Sequence, residues 1–169
     1  MTLETSHKQP DNTPMIKIKY LCEYPNHLQK TVQLWHNTIG KKWRPDAVLS
    51  EVEARFHEHF NKDALPLMYI ALDGEEVVGM CALRSNDSLK SKYIPWLGSL
   101  CVDEAYRKRG IGKLLMKMIK EKAHKMGFQK LYLFTFEKEI ADWYAGNGWK
   151  KTEDTKYNDH PVTVMEIDV

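Results

Sequence analysis

The residues best suited to chemistry lie in a basic segment, 107–113, which also holds Gly110 and Gly112. Its charged members are Arg107, Lys108, Arg109 and Lys113. An amphipathic pattern begins directly after Gly110, so the segment opens a helix whose first amides have no intrahelical partner and carry partial positive charge. Glycine lacks a Cβ and lets an anion approach the backbone closely. The segment therefore predicts an anion site, most simply for a phosphate or pyrophosphate.

Two common phosphate motifs do not fit this segment. A P-loop requires G-x-x-x-x-G-K-[ST], but Lys113 is followed by Leu114 and Arg107 stands five residues before Gly112. The dinucleotide fingerprint G-x-G-x-x-G fails because Leu115 occupies the third glycine position. The pattern present is R-x-x-G-x-G. Taken by itself, that pattern more often marks a helix start with a solvated basic face.

A strand–helix–strand unit must position this segment. Residues 97–102 are almost wholly apolar, which is typical of a strand buried on both faces. Apolar residues from Ile111 to Met126 recur on one helical face, and Gly127 is expected to end the helix. Residues 131–136 form the next predicted strand. A crossover through a helix requires the two strands to be parallel neighbours.

The remaining periodicity predicts further strands at 15–20, 67–72, 77–83, 149–155 and 162–169. Asp73-Gly74 between two apolar runs indicates a hairpin. A first helix is predicted from a capping box at Asn26 to about Gly40, and a second helix is capped by Asp46. The basic stretch 41–44 reads as a solvated loop between them. The fold class expected is α/β (α+β), a mixed sheet with helices on both faces, in one domain over residues 15–169 after a disordered tail at 1–14.

The stretch 143–149, Trp-Tyr-Ala-Gly-Asn-Gly-Trp, follows the second predicted strand of the crossover. Together with the R-x-x-G-x-G loop, it resembles the GNAT acetyltransferase superfamily, in which an F-Y-x-x-x-G-F signature follows the acyl-CoA pyrophosphate loop. Tryptophan stands at both flanking aromatic positions here. The resemblance covers roughly residues 15–169 in element order.

The resemblance implies an N-acetyltransferase that moves an acetyl group from acetyl-CoA to a primary amine of a small molecule, by direct attack in a ternary complex and without a metal. It implies that Tyr144 is the general acid. The implied coenzyme-binding residues are Leu100, Cys101, Val102, Arg107, Lys108, Arg109, Gly110, Ile111, Gly112 and Lys113. A second, looser likeness is to a bacterial small-amine subgroup that includes aminoglycoside-type enzymes, and a homodimer stays open.

Several alternatives remain at this stage. The acceptor could instead be a protein N-terminus or lysine, or the chain could be a CoA-binding sensor module without catalysis. The general base is not assigned. Its candidates are Asp103, Glu104, Asp159, His160 and a water relay. The aromatic faces of Trp35, Trp43 and Trp96 could meet a cationic amine, although core packing is the simpler role for Trp35 and Trp96.

Composition excludes several other classes of protein. With 25 Lys+Arg and 23 Asp+Glu among 169 residues, the net charge of +2 disfavours a nucleic-acid-binding or membrane-binding surface. No apolar run has the ~20 residues of a membrane span, so a cytoplasmic protein is expected. The cysteines, Cys22, Cys81 and Cys101, are read as inert thiols, two of them in the core. His57 and His59 lack metal-site spacing.

Overall fold

A computed structural model describes residues 15–89 and 91–169, so the tail expected at 1–14 lies outside the described residues. The strands are β1 (Ile16–Tyr20), β2 (Leu67–Asp73), β3 (Glu76–Arg84), β4 (Trp96–Val102), β5 (Lys130–Thr135), β6 (Lys150–Tyr157) and β7 (His160–Asp168). The helices are α1 (Leu28–Trp35), α2 (Lys41–Trp43), α3 (Leu49–His57), α4 (Ile111–Lys125) and α5 (Lys138–Gly146).

The strands form one seven-stranded sheet in the order β1-β2-β3-β4-β5-β7-β6. Neighbouring strands run antiparallel except β4 and β5, which are parallel and are joined by α4. The predicted hairpin is confirmed, with Asp73 opposite Glu76. The mixed sheet and the strand–helix–strand unit are those expected from the sequence.

Hydrophobic cores lie on both faces of the sheet, because side chains along a strand alternate between faces. Along β2, one set packs with α4 and α5, and the other packs with α1 and α3. The first set is Leu67, Tyr69 and Ala71, and the second is Met68, Ile70 and Leu72. All six are at most 4% exposed. The central strands are therefore apolar throughout because each face is covered by helices.

The first helical region differs from the sequence prediction. Asn26 lies in a short 3₁₀ turn, and no side chain caps α1, so the predicted capping box is wrong. The helix also continues beyond Gly40 through a π-helical turn, His36–Gly40, into α2. A Cβ at Gly40 would lie 2.7 Å from the Trp35 ring, so glycine lets this tryptophan pack against the turn.

The start of the second long helix also differs. Helix α3 begins after Val48 with no side-chain cap, so Asp46 does not cap it. Asp46 instead forms an ion pair with Arg44, at 3.6 Å.

Two of the three cysteines lie in the core, as the sequence suggested. Cys81 and Cys101 are buried, Cys22 is partly exposed, and all three are free thiols. Burial raises the pKa of the Cys101 thiol to about 12, so it stays protonated. In the described part of the chain, no helix combines the length and the apolar character that crossing a bilayer demands.

Candidate active site

Strands β4 and β5 separate soon after they begin. They share one register pair, Trp96 with Tyr132, and no other β4–β5 pair occurs among the described residues. A register irregularity in the β3–β4 pairing coincides with Ser99, whose φ of 52° is left-handed. Such bulges bend and twist a strand. The backbone of Leu100, Cys101 and Val102 therefore has no β5 partner, and a cleft of about 950 Å³ opens at this point.

The basic loop closes one end of this cleft. Asp103 Oδ1 accepts a hydrogen bond from the Ala105 amide at 2.9 Å and so shapes the turn that follows β4. Lys108 and Gly110 have left-handed φ values of 62° and 80°. Helix α4 then starts at Ile111 without a side-chain cap. Its first-turn amides are left to bind an anion, because no side chain occupies them.

Nine of the ten predicted coenzyme-binding residues line the cleft. They are Leu100, Cys101, Val102, Arg107, Lys108, Gly110, Ile111, Gly112 and Lys113. The exception is Arg109, whose guanidinium lies 5.0 Å from the centroid of the Tyr106 ring. Arg107 Nε donates to the Val102 carbonyl at 3.3 Å, which holds its charge at the end of β4.

Tyr144 lines the same cleft from α5. Its side chain is 6% exposed and packs against Trp143 and Trp149, with ring centroids 5.0 and 5.7 Å away. Its hydroxyl has no hydrogen-bond partner within residues 15–89 and 91–169. Burial raises the pKa of the phenol, and Cys81 and Cys101 add to the effect. Tyr144 is therefore a protonated hydroxyl that is free to donate a hydrogen bond into the cleft.

A second group of lining residues comprises Lys42, Trp43, Arg44, Phe136 and Tyr157. We call it the basic–aromatic end. Trp43 stacks on Phe136, with centroids 4.4 Å apart and planes 9° from parallel. Arg44 Nη1 donates to the Tyr157 hydroxyl at 3.0 Å, and Lys42 pairs with Glu137.

The solvated-loop interpretation of 41–44 is therefore wrong, because stacking and ion pairing hold the segment against the sheet. Of the three tryptophans considered, Trp35 and Trp96 are core residues, at 5% and 1% exposed.

A buried polar network next to this end was not predicted. Arg84 is 4% exposed, and its guanidinium donates to His59 Nε2 at 2.8 Å, Asp87 Oδ1 at 2.6 Å and Ser99 Oγ at 2.9 Å. A Cβ at Gly98 would lie 2.5 Å from Arg84 Nη1, so glycine makes room for the guanidinium. The sequence signal for this network was an arginine that ends an otherwise apolar strand, with an acid three residues later.

His59 is neutral within this network. Burial, followed by the nearby Arg84 charge, lowers its pKa to about 3. The ring Nδ1 lies 2.9 Å from the Arg55 carbonyl, so Nδ1 carries the hydrogen and Nε2 accepts from Arg84. Both ring nitrogens are therefore occupied by protein partners. No cluster of three or more metal-ligating side chains occurs in the described part of the chain.

The carboxylates at the cleft are ion-pair partners. Asp87 and Glu137 are the acids among the described lining residues, and they pair with Arg84 and Lys42. Asp159 lies in the β6–β7 turn with a left-handed φ of 64°. His160 packs edge-on against Trp43, with centroids 5.5 Å apart, and does not line the cleft.

Comparison with known proteins gives a family match from the sequence and a fold match from solved structures. The family model described as the acetyltransferase (GNAT) family matches residues 31–143. Two solved structures with this fold are a GNAT acetyltransferase from Staphylococcus aureus Mu50 (18% identity, TM-score 0.70, 91% of this chain and 99% of that chain covered) and an acetyltransferase from Streptococcus agalactiae 2603 (23%, 0.69, 91% and 98%).

A third solved structure is an aminoglycoside 6′-N-acetyltransferase complexed with coenzyme A (16% identity, TM-score 0.69, 90% of this chain and 96% of that chain covered). At these identities the likeness establishes a shared fold. No curated protein sequence matches the chain significantly.

Proposed function

The chain belongs to the acetyltransferase (GNAT) family, and on that premise we propose that it transfers an acetyl group from acetyl-CoA to a primary amine of a small molecule. The observation that carries this proposal is the cleft between β4 and β5. It joins a strand edge that β5 leaves free, uncapped helix amides beside basic side chains, and a tyrosine hydroxyl with no hydrogen-bond partner among the described residues.

The cleft fits the chemistry of coenzyme A. In our proposal, the first-turn amides of α4 bind the diphosphate, and Arg107, Lys108 and Lys113 balance its charge. Arg109 contributes to the positive potential from outside the lining. The pantetheine amides pair with the backbone at Leu100, Cys101 and Val102, as an added strand would. The thioester then lies in the gap between β4 and β5, beside Tyr144.

The proposed reaction is a direct attack within a ternary complex. An alkylamine has a pKa near ~10.4 and must lose a proton before its lone pair can attack the thioester carbonyl. The new C–N bond forms, the C–S bond breaks, and a backbone N–H near Val102 stabilises the negative charge on the carbonyl oxygen. The departing thiolate, with a thiol pKa of ~8.5, takes its proton from the Tyr144 hydroxyl. The acylated nitrogen then releases its extra proton, which returns Tyr144 to its protonated form.

A panel of amines tests the proposal. Purified protein is mixed with acetyl-CoA and each amine in turn, and release of free thiol is followed. We expect release above the spontaneous rate with at least one small primary amine. If coenzyme A binds but no amine accelerates release, the chain is a binding module rather than an enzyme.

Tyr144→Phe tests the assignment of the acid. The variant keeps the ring and its packing, so we expect turnover to fall by ~10²–10⁴ while the dissociation constant for coenzyme A, measured by calorimetry, stays within about twofold. Tyr132→Phe is the matched control, since Tyr132 lies on β5 outside the cleft lining. Equal turnover in the two variants would remove Tyr144 from the mechanism.

A further inference from the structure

The side chain of Arg55 lines the cleft near the basic–aromatic end and is partly buried. Its guanidinium has no hydrogen-bond or ion-pair partner in the part of the chain that the structure describes. Burial, and then the adjacent Arg84 charge, lower its pKa to about 10. A cation withdrawn from water without a counter-charge is destabilising. Arg55 is thus a donor group that a bound anion would satisfy.

Arg44 offers a second unsatisfied donor in the same place. Its Nη1 is bonded to Tyr157, but its buried Nε has no hydrogen-bond acceptor among the described residues. The oxygen of Asp46 is 3.6 Å from this Nε and the Asp46 side chain is 79% exposed, so the pairing is long and solvated. Arg44 and Tyr157 are both close enough to Arg55 to affect its pKa.

The carboxylates at this end of the cleft compensate the two arginines only in part. Lys42 pairs with Glu137, and Arg84 pairs with Asp87. Asp87 also acts on Arg55 from a distance, but neither it nor Glu137 forms an ion pair with Arg44 or Arg55. A polycationic acceptor would meet like charge here, whereas an anion would meet two planar guanidinium groups, whose donors suit carboxylate and phosphate oxygens.

We propose that the acceptor is an amine that also carries an oxyanion, a carboxylate or a phosphate, and that Arg55 and Arg44 bind this group. The proposal rests on the proposed function, because the bound amine then faces the thioester. Each charge-assisted hydrogen bond of this kind corresponds to about 10–150-fold in affinity.

Binding is measured without catalysis, in the presence of saturating coenzyme A, which carries no acetyl group. Each anionic amine is compared with a partner that lacks the anion: ω-amino acids of three to six carbons with alkylamines of equal length, and phosphoethanolamine with ethanolamine. Cadaverine serves as a dication. Calorimetry gives the dissociation constants, and the Arg55 Nε–H NMR signal, assigned by its loss in Arg55→Met, reports contact. The ω-amino acids and phosphoethanolamine separate a carboxylate site from a phosphate site.

We expect an anionic amine to bind at least about tenfold more tightly than its neutral-tailed partner and to shift the Arg55 signal. Arg55→Met should abolish the difference, and Arg55→Lys should restore part of it. Lys117→Met, which removes a charge from an exposed side chain of α4, should change nothing. Because the Arg55 guanidinium has no hydrogen-bond or ion-pair partner among the described residues, Arg55→Met should leave thermal stability unchanged or raise it, unlike a structural arginine.

The proposal is overturned if both members of every pair bind equally, or if cadaverine binds more tightly than the anionic amines. It is also overturned if the preference survives Arg55→Met, or if no anionic amine binds at millimolar concentration. Thiol release with the same amines decides the catalytic function separately. Anionic amines that bind through Arg55 but are never acetylated would refute the proposed function and leave the anion site standing.

Discussion

Gly110 provides a test of the anion site in which stability and binding can be separated. Its φ is 80°, in the left-handed region that glycine favours, and a Cβ there would meet nothing within 4 Å. Gly127, just beyond the other end of α4, has a φ of 89° and the same open surroundings. The two glycines therefore share the backbone requirement and the free space, but only Gly110 lines the cleft.

Replacing either glycine by alanine forces an L-residue into the left-handed conformation, which costs about 1–2 kcal/mol. We expect Gly110→Ala and Gly127→Ala to lower the free energy of unfolding by similar amounts in urea titrations. Gly110→Ala should also weaken coenzyme A binding by about 10–150-fold, the equivalent of one charge-assisted hydrogen bond to the diphosphate. Either the new methyl group obstructs close approach, or the backbone relaxes and turns the α4 amides away.

Calorimetric titration with coenzyme A, on both variants and the unmodified protein, gives the comparison. Gly127→Ala should bind as the unmodified protein does. The reasoning is refuted if the two variants show the same affinity for coenzyme A, whether both are weakened or neither is.

Three further outcomes follow from the cleft and its buried network. Arg84→Met leaves buried polar partners unpaired and should lower the free energy of unfolding by about 3–5 kcal/mol. The control Lys117→Met, at an exposed side chain, should lower it by less than about 1 kcal/mol. Similar losses for the two variants in urea titrations would contradict a stabilising role for the network. The His59 pKa falls from 6.5 unfolded to about 3 folded, so the unfolded state binds the proton first on acidification. The stabilisation from neutral His59 is therefore complete above pH ~6.5 and is lost towards pH ~3, by up to about 1.4 kcal/mol per pH unit. In urea titrations, His59→Gln should flatten this pH dependence of the free energy of unfolding between pH 6.5 and 4. Trp43→Ala removes the stacking on Phe136 and should raise the KM for the amine with little change in coenzyme A affinity. If the variant weakens coenzyme A binding instead, Trp43 belongs to the coenzyme site and not to the amine site.

The features that the sequence predicted well are those with local causes. Strand β2 alternates between two cores, and Asp73-Gly74 allows the hairpin, so both follow from side-chain period and turn chemistry. Gly110 and Gly127 adopt left-handed φ values at the two ends of α4, as the start and stop signals indicated. The parallel β4–β5 pairing follows from the crossover between them.

The features that the sequence did not predict depend on partners distant in the chain. Arg84 bonds to His59 and Ser99, which are 25 and 15 residues away, and no local pattern joins them. The helical region reaches Trp43, whose ring stacks on Phe136, 93 residues further along the chain, and no local pattern reveals that contact. That Arg55 has no ion-pair partner within the described residues is likewise a property of the folded cleft rather than of its helix.

The most direct test of the central claim is a titration of isotope-labelled protein with coenzyme A, followed through backbone amide NMR signals. The account predicts that the largest shifts fall on Ile111, Gly112 and Lys113 at the start of α4, and on Leu100–Val102 along the free edge of β4. Shifts confined to another part of the molecule, or no shifts at millimolar coenzyme A, would contradict it.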